Sequence, residues 1–131
     1  MRVFIPIFLV VFHFVTFCHG LTLQQKQEIF AYNTAKLIIH IFESGYKCTL
    51  GEAFRTQEQA MIYAKEGLGI AHSKHCERLA LDLNLFDSNG NFIHDDDMYK
   101  QFGTYWQNLN ISNRAGCFWI HRPDADHFEM D

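Results

Sequence analysis

Hydrophobic side chains recur at intervals of three and four residues between positions 23 and 44. This spacing predicts an amphipathic helix. Thr22 and Gln25 have the spacing of a capping box at its start, and Gly45 follows the last periodic residue, where helices commonly end. The apolar positions are Ile29, Phe30, Tyr32, Ala35, Leu37, Ile38, Ile41 and Phe42.

The centre of the chain has a different pattern, in which leucines alternate with other residues from Leu79 to Phe86. Strict alternation predicts a strand with one apolar face. Asp82 points away from that face, and Ala80 leaves room beside it. His75 lies seven residues before Asp82, so on one strand the two would face opposite ways, and on one helix they would be about 10 Å apart. We therefore predict that His75 lies on a loop or bend that folds its ring back toward Asp82.

Turn residues and further periodic segments complete the predicted order. They indicate a strand over residues 46–54, a helix over 56–65 capped by Thr56, a turn over 87–91 and a short returning strand at 92–93. Three aspartates, Asp95 to Asp97, lack the glycine and glutamate spacing of an EF-hand loop. They favour a helix N-terminus, and the aromatic stripe of the following helix, residues 98–109, predicts core packing.

The composition limits the classes of function. The chain has 131 residues, enough for one small domain, and 48% of them are hydrophobic. The formal net charge is -4 and no basic run occurs. A patch of cations that follows nucleic-acid phosphates is therefore excluded.

The first twenty residues have the pattern of a secretory signal peptide. Met1 and Arg2 precede an apolar run that reaches residue 17, and a small residue, Gly20, follows. The run is shorter than the ~20 residues of a membrane span, although a retained signal anchor is the alternative. We predict cleavage near Gly20, a mature domain of residues 21–131, a secreted or periplasmic location and no stable membrane span after cleavage.

The candidate chemistry comes from two separate segments of the chain. His75 and Asp82 lie in the centre, and His127 lies near the C-terminus with Asp124 three residues before it. Two imidazoles and one carboxylate are a ligand set for catalytic zinc, which keeps one position open for water. A further carboxylate can take the proton from that water.

Several segments together resemble the zinc D,D-carboxypeptidase and L-alanyl-D-glutamate endopeptidase superfamily, most closely the small phage endolysin peptidases. They are Thr49–Thr56, the Ser73-x-His75 segment that runs into Leu-Ala-Leu-Asp-Leu-Asn-Leu-Phe, and the final Arg-Pro-Asp-x-x-His-Phe. The resemblance covers residues 23–130. It implies a single small α+β domain of the hedgehog type, with an antiparallel sheet flanked by helices. It also implies a monomer that hydrolyses peptidoglycan stem peptides, as an L-Ala–D-Glu endopeptidase or, next, a D,D-carboxypeptidase.

The resemblance also implies a role for each of six residues. They are His75, Asp82 and His127 as zinc ligands, Asp124 as general base, Arg55 as substrate and oxyanion clamp, and Ser73 as a residue that orders the site. The chain departs from the wider superfamily at the segment 114–119, which replaces a Trp-Gly-Gly-like turn. This departure concerns the substrate cleft more than the metal site.

Several assignments stay open at this point. Asp126 adjoins His127 and competes with Asp124 as the base. Neighbouring residues on an extended segment point opposite ways, so we expect Asp126 to face solvent or to orient a ligand, and Asp124 is favoured. Glu129 shares the face of His127 if the chain ends in a strand, where it would support a ligand; an exposed terminal charge is the simpler interpretation. Cys76 is a bystander, half of a disulfide with Cys117, or a fourth ligand that would close the site.

Two rival functions follow from the same residues. The first is a zinc-binding recognition domain on the same fold that does not hydrolyse its ligand and has no need of Asp124. The second is a metal-free adhesion module, which leaves the grouping of histidines and carboxylates without an explanation.

Overall fold

The computed structural model describes residues 20–131, so the predicted signal peptide lies outside the described residues apart from Gly20. Helices α1, α2 and α3 and strands β1 to β4 are joined by three short 3₁₀ turns. The helices are Leu23–Glu43, Gln57–Lys65 and Lys100–Leu109; the strands are Lys47–Leu50, Ala80–Phe86, Asn113–Ala115 and His127–Met130; the 3₁₀ turns are Lys74–Glu77, Asp96–Tyr99 and Gly116–Phe118. Over this part of the chain, no helix is both long and apolar enough to cross a membrane.

Local capping fixes both ends of α1, as the sequence predicts. The Thr22 hydroxyl accepts a hydrogen bond from the Gln25 amide, and the Gln25 side chain accepts one from the Thr22 amide. At the other end Gly45 adopts a φ of 85°. Its amide and that of Tyr46 donate to the carbonyls of Phe42 and Ile41, which is the Schellman arrangement.

The four strands form one antiparallel sheet in the order β1-β2-β4-β3. The predicted α+β domain with an antiparallel sheet flanked by helices is therefore confirmed. Strand β2 is central, and its register with β4 places Asp82 opposite His127 and Ala80 opposite Glu129. Because residues directly opposite each other have Cβ atoms about 5 Å apart, this register brings two candidate site residues into contact.

Two predicted strands are shorter in the structure. The strand predicted over 46–54 ends at Leu50, because Gly51 and Glu52 both bond to the backbone of Asp82. Two residues of one strand therefore pair with a single residue of the other, and this interrupts the regular hydrogen-bond ladder as in a β-bulge. The returning strand predicted at 92–93 is a single bridge between Phe92 and Phe86. The helix predicted over 98–109 begins as a 3₁₀ turn with Asp95 as its cap, and α3 starts at Lys100.

The core lies between the leucine face of β2 and the two long helices. The aromatic stripe of α3 packs there, as predicted, with the Trp106 ring edge-on to Phe30 and to Phe128. The buried members include Leu37, Ile41, Leu79, Leu81, Leu83, Leu85, Tyr99, Phe102 and Met130. This packing fixes β2, and β2 carries Asp82 on its opposite face.

Truncation of one core leucine tests this account of the fold. Leu83 is fully buried in β2, so we expect Leu83→Ala to lower the free energy of unfolding by about 2–5 kcal/mol. Urea denaturation measures the change. Leu50 faces Leu83 across the β1–β2 pair but is 65% exposed. Leu50→Ala is therefore the matched control, with an expected change within about 0.5 kcal/mol; an equal loss in both variants would contradict the assignment of the core.

Candidate metal centre

His75 reaches the sheet from a 3₁₀ turn that precedes β2. The Ser73 hydroxyl caps this turn by accepting from the His75 amide at 3.3 Å, and Arg78 ends it in the left-handed region at a φ of 55°. The reversal at Arg78 lets the chain enter β2 while the His75 ring points back along the strand. The bend predicted between His75 and Asp82 is therefore confirmed.

Three donor atoms meet where the turn, β2 and β4 come together. The His75 Nε2 to His127 Nδ1 distance is 3.3 Å, His75 Nε2 to Asp82 Oδ1 is 3.3 Å, and His127 Nδ1 to Asp82 Oδ1 is 3.0 Å. Tetrahedral zinc with bonds of about 2.0–2.1 Å separates its ligand atoms by about 3.3–3.4 Å. The three protein atoms therefore have nearly the spacing of one face of a zinc tetrahedron, and they form a possible metal site.

The remaining ring nitrogens of the two histidines differ in their partners, and that of His127 has the partner of a metal ligand. His127 Nε2 lies 2.9 Å from Glu129 Oε2, so a proton held there leaves the lone pair of Nδ1 directed at the cluster. A carboxylate that orients a ligating histidine in this way is typical of metal sites. His75 Nδ1 is buried and has no hydrogen-bond partner among residues 20–131. Such an unpaired buried group costs about 1–3 kcal/mol.

Glu129 was the residue whose simpler sequence interpretation was wrong. An exposed terminal charge was expected, but β4 places Glu129 on the face of His127, and its side chain is only 18% exposed. The sequence signal was the spacing of two residues on a strand. Ala80 lies opposite Glu129 in the register and leaves space for its carboxylate.

The charges in the metal-free chain stabilise one another. Burial raises the pKa of Asp82, but hydrogen bonds from His127 and His75 outweigh it and lower the pKa to about 2. Burial lowers the pKa of His127, but its bonds to Asp82 and Glu129 outweigh that effect and raise the pKa to about 9. A divalent cation must displace this imidazolium proton, so metal affinity rises with pH.

We expect Glu129→Ala to weaken zinc binding by about 10–100-fold, because His127 loses the carboxylate that fixes its ring and tautomer. Competition with a chromophoric chelator measures the affinity. Glu129→Gln keeps an acceptor without the charge and should lie between the wild type and Glu129→Ala. Asp131 is an exposed acidic residue just after β4, so Asp131→Ala is the control and should bind zinc like the wild type. The assignment of Glu129 fails if Glu129→Ala binds zinc as tightly as this control.

The three donors lie at the floor of a cleft of about 290 Å³. It is lined by residues that precede α2, by the loop after α2, by the turn before β2, by the segment before β4, and by strands β2 and β4 themselves. They are Arg55, Leu68, Gly69, Ile70, Ser73, Lys74, His75, Asp82, Trp119, Arg122, Pro123, Asp124, His127 and Glu129. The Trp119 ring lies 5.1 Å from the His127 ring, centre to centre, so an aromatic wall borders the metal side of the cleft.

Arg55 is held in place by a partner that the sequence analysis did not identify. Its Nε donates to Glu52 at 2.9 Å and its Nη2 pairs with the second Glu52 oxygen. Nη1 approaches the Ser73 hydroxyl at 3.5 Å. Of the five guanidinium N–H groups, two remain for a substrate. The i,i+3 spacing of Glu52 and Arg55 was the available signal.

Asp124 and Asp126 lie close together on one short segment before β4. Both residues line a cavity beside His94, Asp96 and Tyr99, but of the two Asp124 alone also lines the cleft with the three donors. Burial and the nearby charges of Asp82 and Asp124 raise the pKa of Asp126 to about 6. Asp126 is half-buried beside that second cavity, so it is not a fully solvated charge.

The position of Asp124 depends on a close backbone contact with Gly116. The Gly116 carbonyl accepts from the Asp124 amide at 3.1 Å. A Cβ at Gly116 would lie 2.2 Å from the Asp124 carbonyl oxygen. Only glycine permits this approach, so the segment that departs from the superfamily pattern has its own device for placing the candidate base.

The cysteines do not complete the metal site. Cys48, Cys76 and Cys117 are free thiols in the described part of the chain. The Cys76 thiol donates toward the Thr56 carbonyl at 3.8 Å, and the three-donor grouping does not include it. The structure therefore supports neither the disulfide between Cys76 and Cys117 nor Cys76 as a fourth ligand. Within residues 20–131 the site has three protein donors and an open side toward the cleft.

Comparison with known proteins identifies the fold. No protein-family model and no curated protein sequence matches the chain. The crystal structure of Serratia marcescens L-Ala D-Glu endopeptidase ChiX matches with a TM-score of 0.62 and 15% identity, over 84% of this chain and 89% of that chain. The LdcB LD-carboxypeptidase matches with a TM-score of 0.55 and 13% identity, over 79% of this chain and 64% of that chain. The peptidase-like fold predicted from the sequence resemblance is therefore confirmed.

Proposed function

We propose that this chain is a zinc peptidase that hydrolyses a peptide bond in peptidoglycan stem peptides. The observation that carries the proposal is the meeting of His75, Asp82 and His127 at distances of 3.0–3.3 Å on the floor of an open cleft. A site that is closed by four protein ligands serves structure, whereas three ligands and an open side serve catalysis. The fold shared with ChiX and LdcB supports the same class of reaction.

The residues around the three donors supply the other requirements of peptide hydrolysis. Zinc, when bound by His75, Asp82 and His127, polarises a carbonyl and lowers the pKa of its water to about 7. Asp124 lines the same cleft, and its carboxylate is the group that would take a proton from water at one of its oxygens. It then gives that proton to the nitrogen of the leaving amine, as a general base and acid in turn.

Arg55 is suited to hold the substrate carbonyl. Its charge is fixed at any working pH, and Glu52 and Ser73 restrict its guanidinium to one orientation at the cleft wall. Its two remaining N–H groups can donate to a carbonyl oxygen whose negative charge grows during the reaction. A preorganised donor of this kind is worth about 3 kcal/mol. Ser73 serves the site indirectly, by capping the turn of His75 and contacting Arg55.

The L-Ala–D-Glu bond is the proposed target, with a carboxypeptidase reaction as the alternative. The sequence resemblance to endolysin peptidases favours the endopeptidase, and the ChiX endopeptidase has the higher TM-score of the two structures compared. Export by the proposed signal peptide of residues 1–20 would bring a monomeric mature domain of residues 21–131 to the cell wall.

The proposal is tested with purified residues 21–131 and isolated peptidoglycan. We expect about one zinc per chain by elemental analysis and a zinc-dependent release of new amino groups. A chelator should stop the release and added zinc should restore it. A protein that holds zinc and binds peptidoglycan without releasing amino groups would instead be the non-catalytic recognition domain on the same fold.

A further inference from the structure

The charged groups of the cleft divide into those with a role in the proposed reaction and those without one. Asp82 and Glu129 are bound to the two histidines, and Arg55 is bound to Glu52 outside the cleft. Asp124 is the remaining acid and is assigned to proton transfer. Two further cations, Lys74 and Arg122, line the same cleft, and neither has a role in the reaction described above.

Arg122 is a cation without an acidic partner among residues 20–131. One Nη2 hydrogen bond goes to the Gly67 carbonyl at 3.0 Å, which ties the segment before β4 to the loop after α2. The other N–H groups of the guanidinium make no hydrogen bond within residues 20–131 and stay available to a ligand. An arginine fork of this kind matches the two oxygens of a carboxylate.

Lys74 immediately precedes His75 in the chain and lines the same cleft as the three donors. Its ammonium contacts Glu77 at 3.4 Å, and the Glu77 side chain is 50% exposed. Such a surface pair contributes about 0–1 kcal/mol. A substrate carboxylate can therefore replace Glu77 as the partner of Lys74 at little cost.

We infer that Lys74 and Arg122 form a subsite that binds a carboxylate of the substrate, so that the peptidase selects acidic peptides. This inference rests on the proposed function and deepens it by naming a substrate class. Stem peptides offer this group in two places: the α-carboxylate of the D-glutamyl residue, beside the proposed scissile bond, and the carboxylate at the C-terminus. Both sources have the same chemistry, and the experiment separates them.

Binding of a product-like dipeptide tests the inference without turnover. The probe is γ-D-glutamyl-L-lysine, which lacks the L-Ala–D-Glu bond, together with its glutamyl α-carboxamide and its C-terminal carboxamide. Calorimetry on the zinc-loaded protein should give a Kd about tenfold lower for the free dipeptide than for one of the amides. The amide that weakens binding identifies the source of the carboxylate.

Variants then assign the preference to the two cations. Lys74→Gln and Arg122→Gln should each reduce the preference for the free carboxylate, while Lys74→Arg and Arg122→Lys retain part of it. Zinc content and circular dichroism confirm that each variant keeps the site and the fold. The inference is overturned if the wild type binds all three probes equally. It is also overturned if the double glutamine variant keeps the full preference, since the metal would then be the carboxylate ligand.

The result is independent of the proposed activity. If the protein binds the free dipeptide through Lys74 and Arg122 but cleaves no peptidoglycan, the carboxylate subsite is supported and the proposed reaction is rejected. If the protein cleaves peptidoglycan but binds the three probes equally, the proposed reaction is supported and the carboxylate subsite is rejected.

Discussion

His75→Ala is expected to abolish both zinc binding and hydrolysis. The variant removes one of three donors and leaves Asp82 and His127, too few protein ligands to hold catalytic zinc. Loss of a catalytic metal removes several kcal/mol of transition-state stabilisation, so activity should fall by about a thousandfold or more. Elemental analysis and an assay of released amino groups measure the two effects.

A neighbouring histidine provides the control for this variant. His72 lies three residues earlier on the same loop, is exposed and does not belong to the donor group. His72→Ala should keep zinc and activity near the wild-type values. Because His75 is itself buried, thermal unfolding of both zinc-free variants checks that the loss does not come from misfolding. Full zinc occupancy in His75→Ala would contradict the ligand assignment.

Asp124→Asn is expected to separate metal binding from turnover. Asparagine has nearly the same shape but does not accept a proton at neutral pH, so we expect zinc content to stay at the wild-type value. General acid–base groups typically contribute about 10²–10⁴-fold, and turnover should fall by that amount. Measurement of kcat on zinc-saturated protein checks it.

The comparison with Asp126→Asn decides between the two candidate bases. Asp126 lines the neighbouring cavity, so its variant should lose much less turnover than Asp124→Asn. The opposite order of effects would assign the base to Asp126. If both variants turned over at the wild-type rate, neither aspartate would be the general base.

Local patterns in the sequence predicted the elements that carry the site. The capping box at Thr22, the leucine alternation through β2 and the aromatic stripe of α3 are set by neighbouring residues, and all three are confirmed. The bend before β2 was predicted because neither a strand nor a helix could bring His75 to Asp82. In that case backbone geometry alone excluded the other arrangements.

Contacts between segments that are distant in the sequence could not be predicted from local patterns. The approach of Gly116 to the Asp124 backbone joins residues from different elements, and nothing in the local pattern at either position indicates it. The early end of β1 depends on where Gly51 and Glu52 meet Asp82. Glu129 could be assigned only once the register of β4 against β2 was known, because that register decides which side chains share a face.

The site residues matched through the sequence resemblance meet in one cleft, although they come from five separate parts of the chain. Arg55 follows β1, Ser73 and His75 precede β2, Asp82 lies within β2, Asp124 precedes β4, and His127 begins β4. The sheet order accounts for the meeting, since β2 lies between β1 and β4. The cations Lys74 and Arg122 share this cleft, and their assignment to a substrate carboxylate stays a proposal.

Mass spectrometry of peptidoglycan fragments tests the central claim most directly. Zinc-loaded residues 21–131 are incubated with isolated peptidoglycan, and the products are compared with those of Asp124→Asn. The account predicts fragments that gain one water and carry a new amino terminus at D-Glu. Fragments that stay unchanged with a zinc-saturated wild-type protein would contradict it.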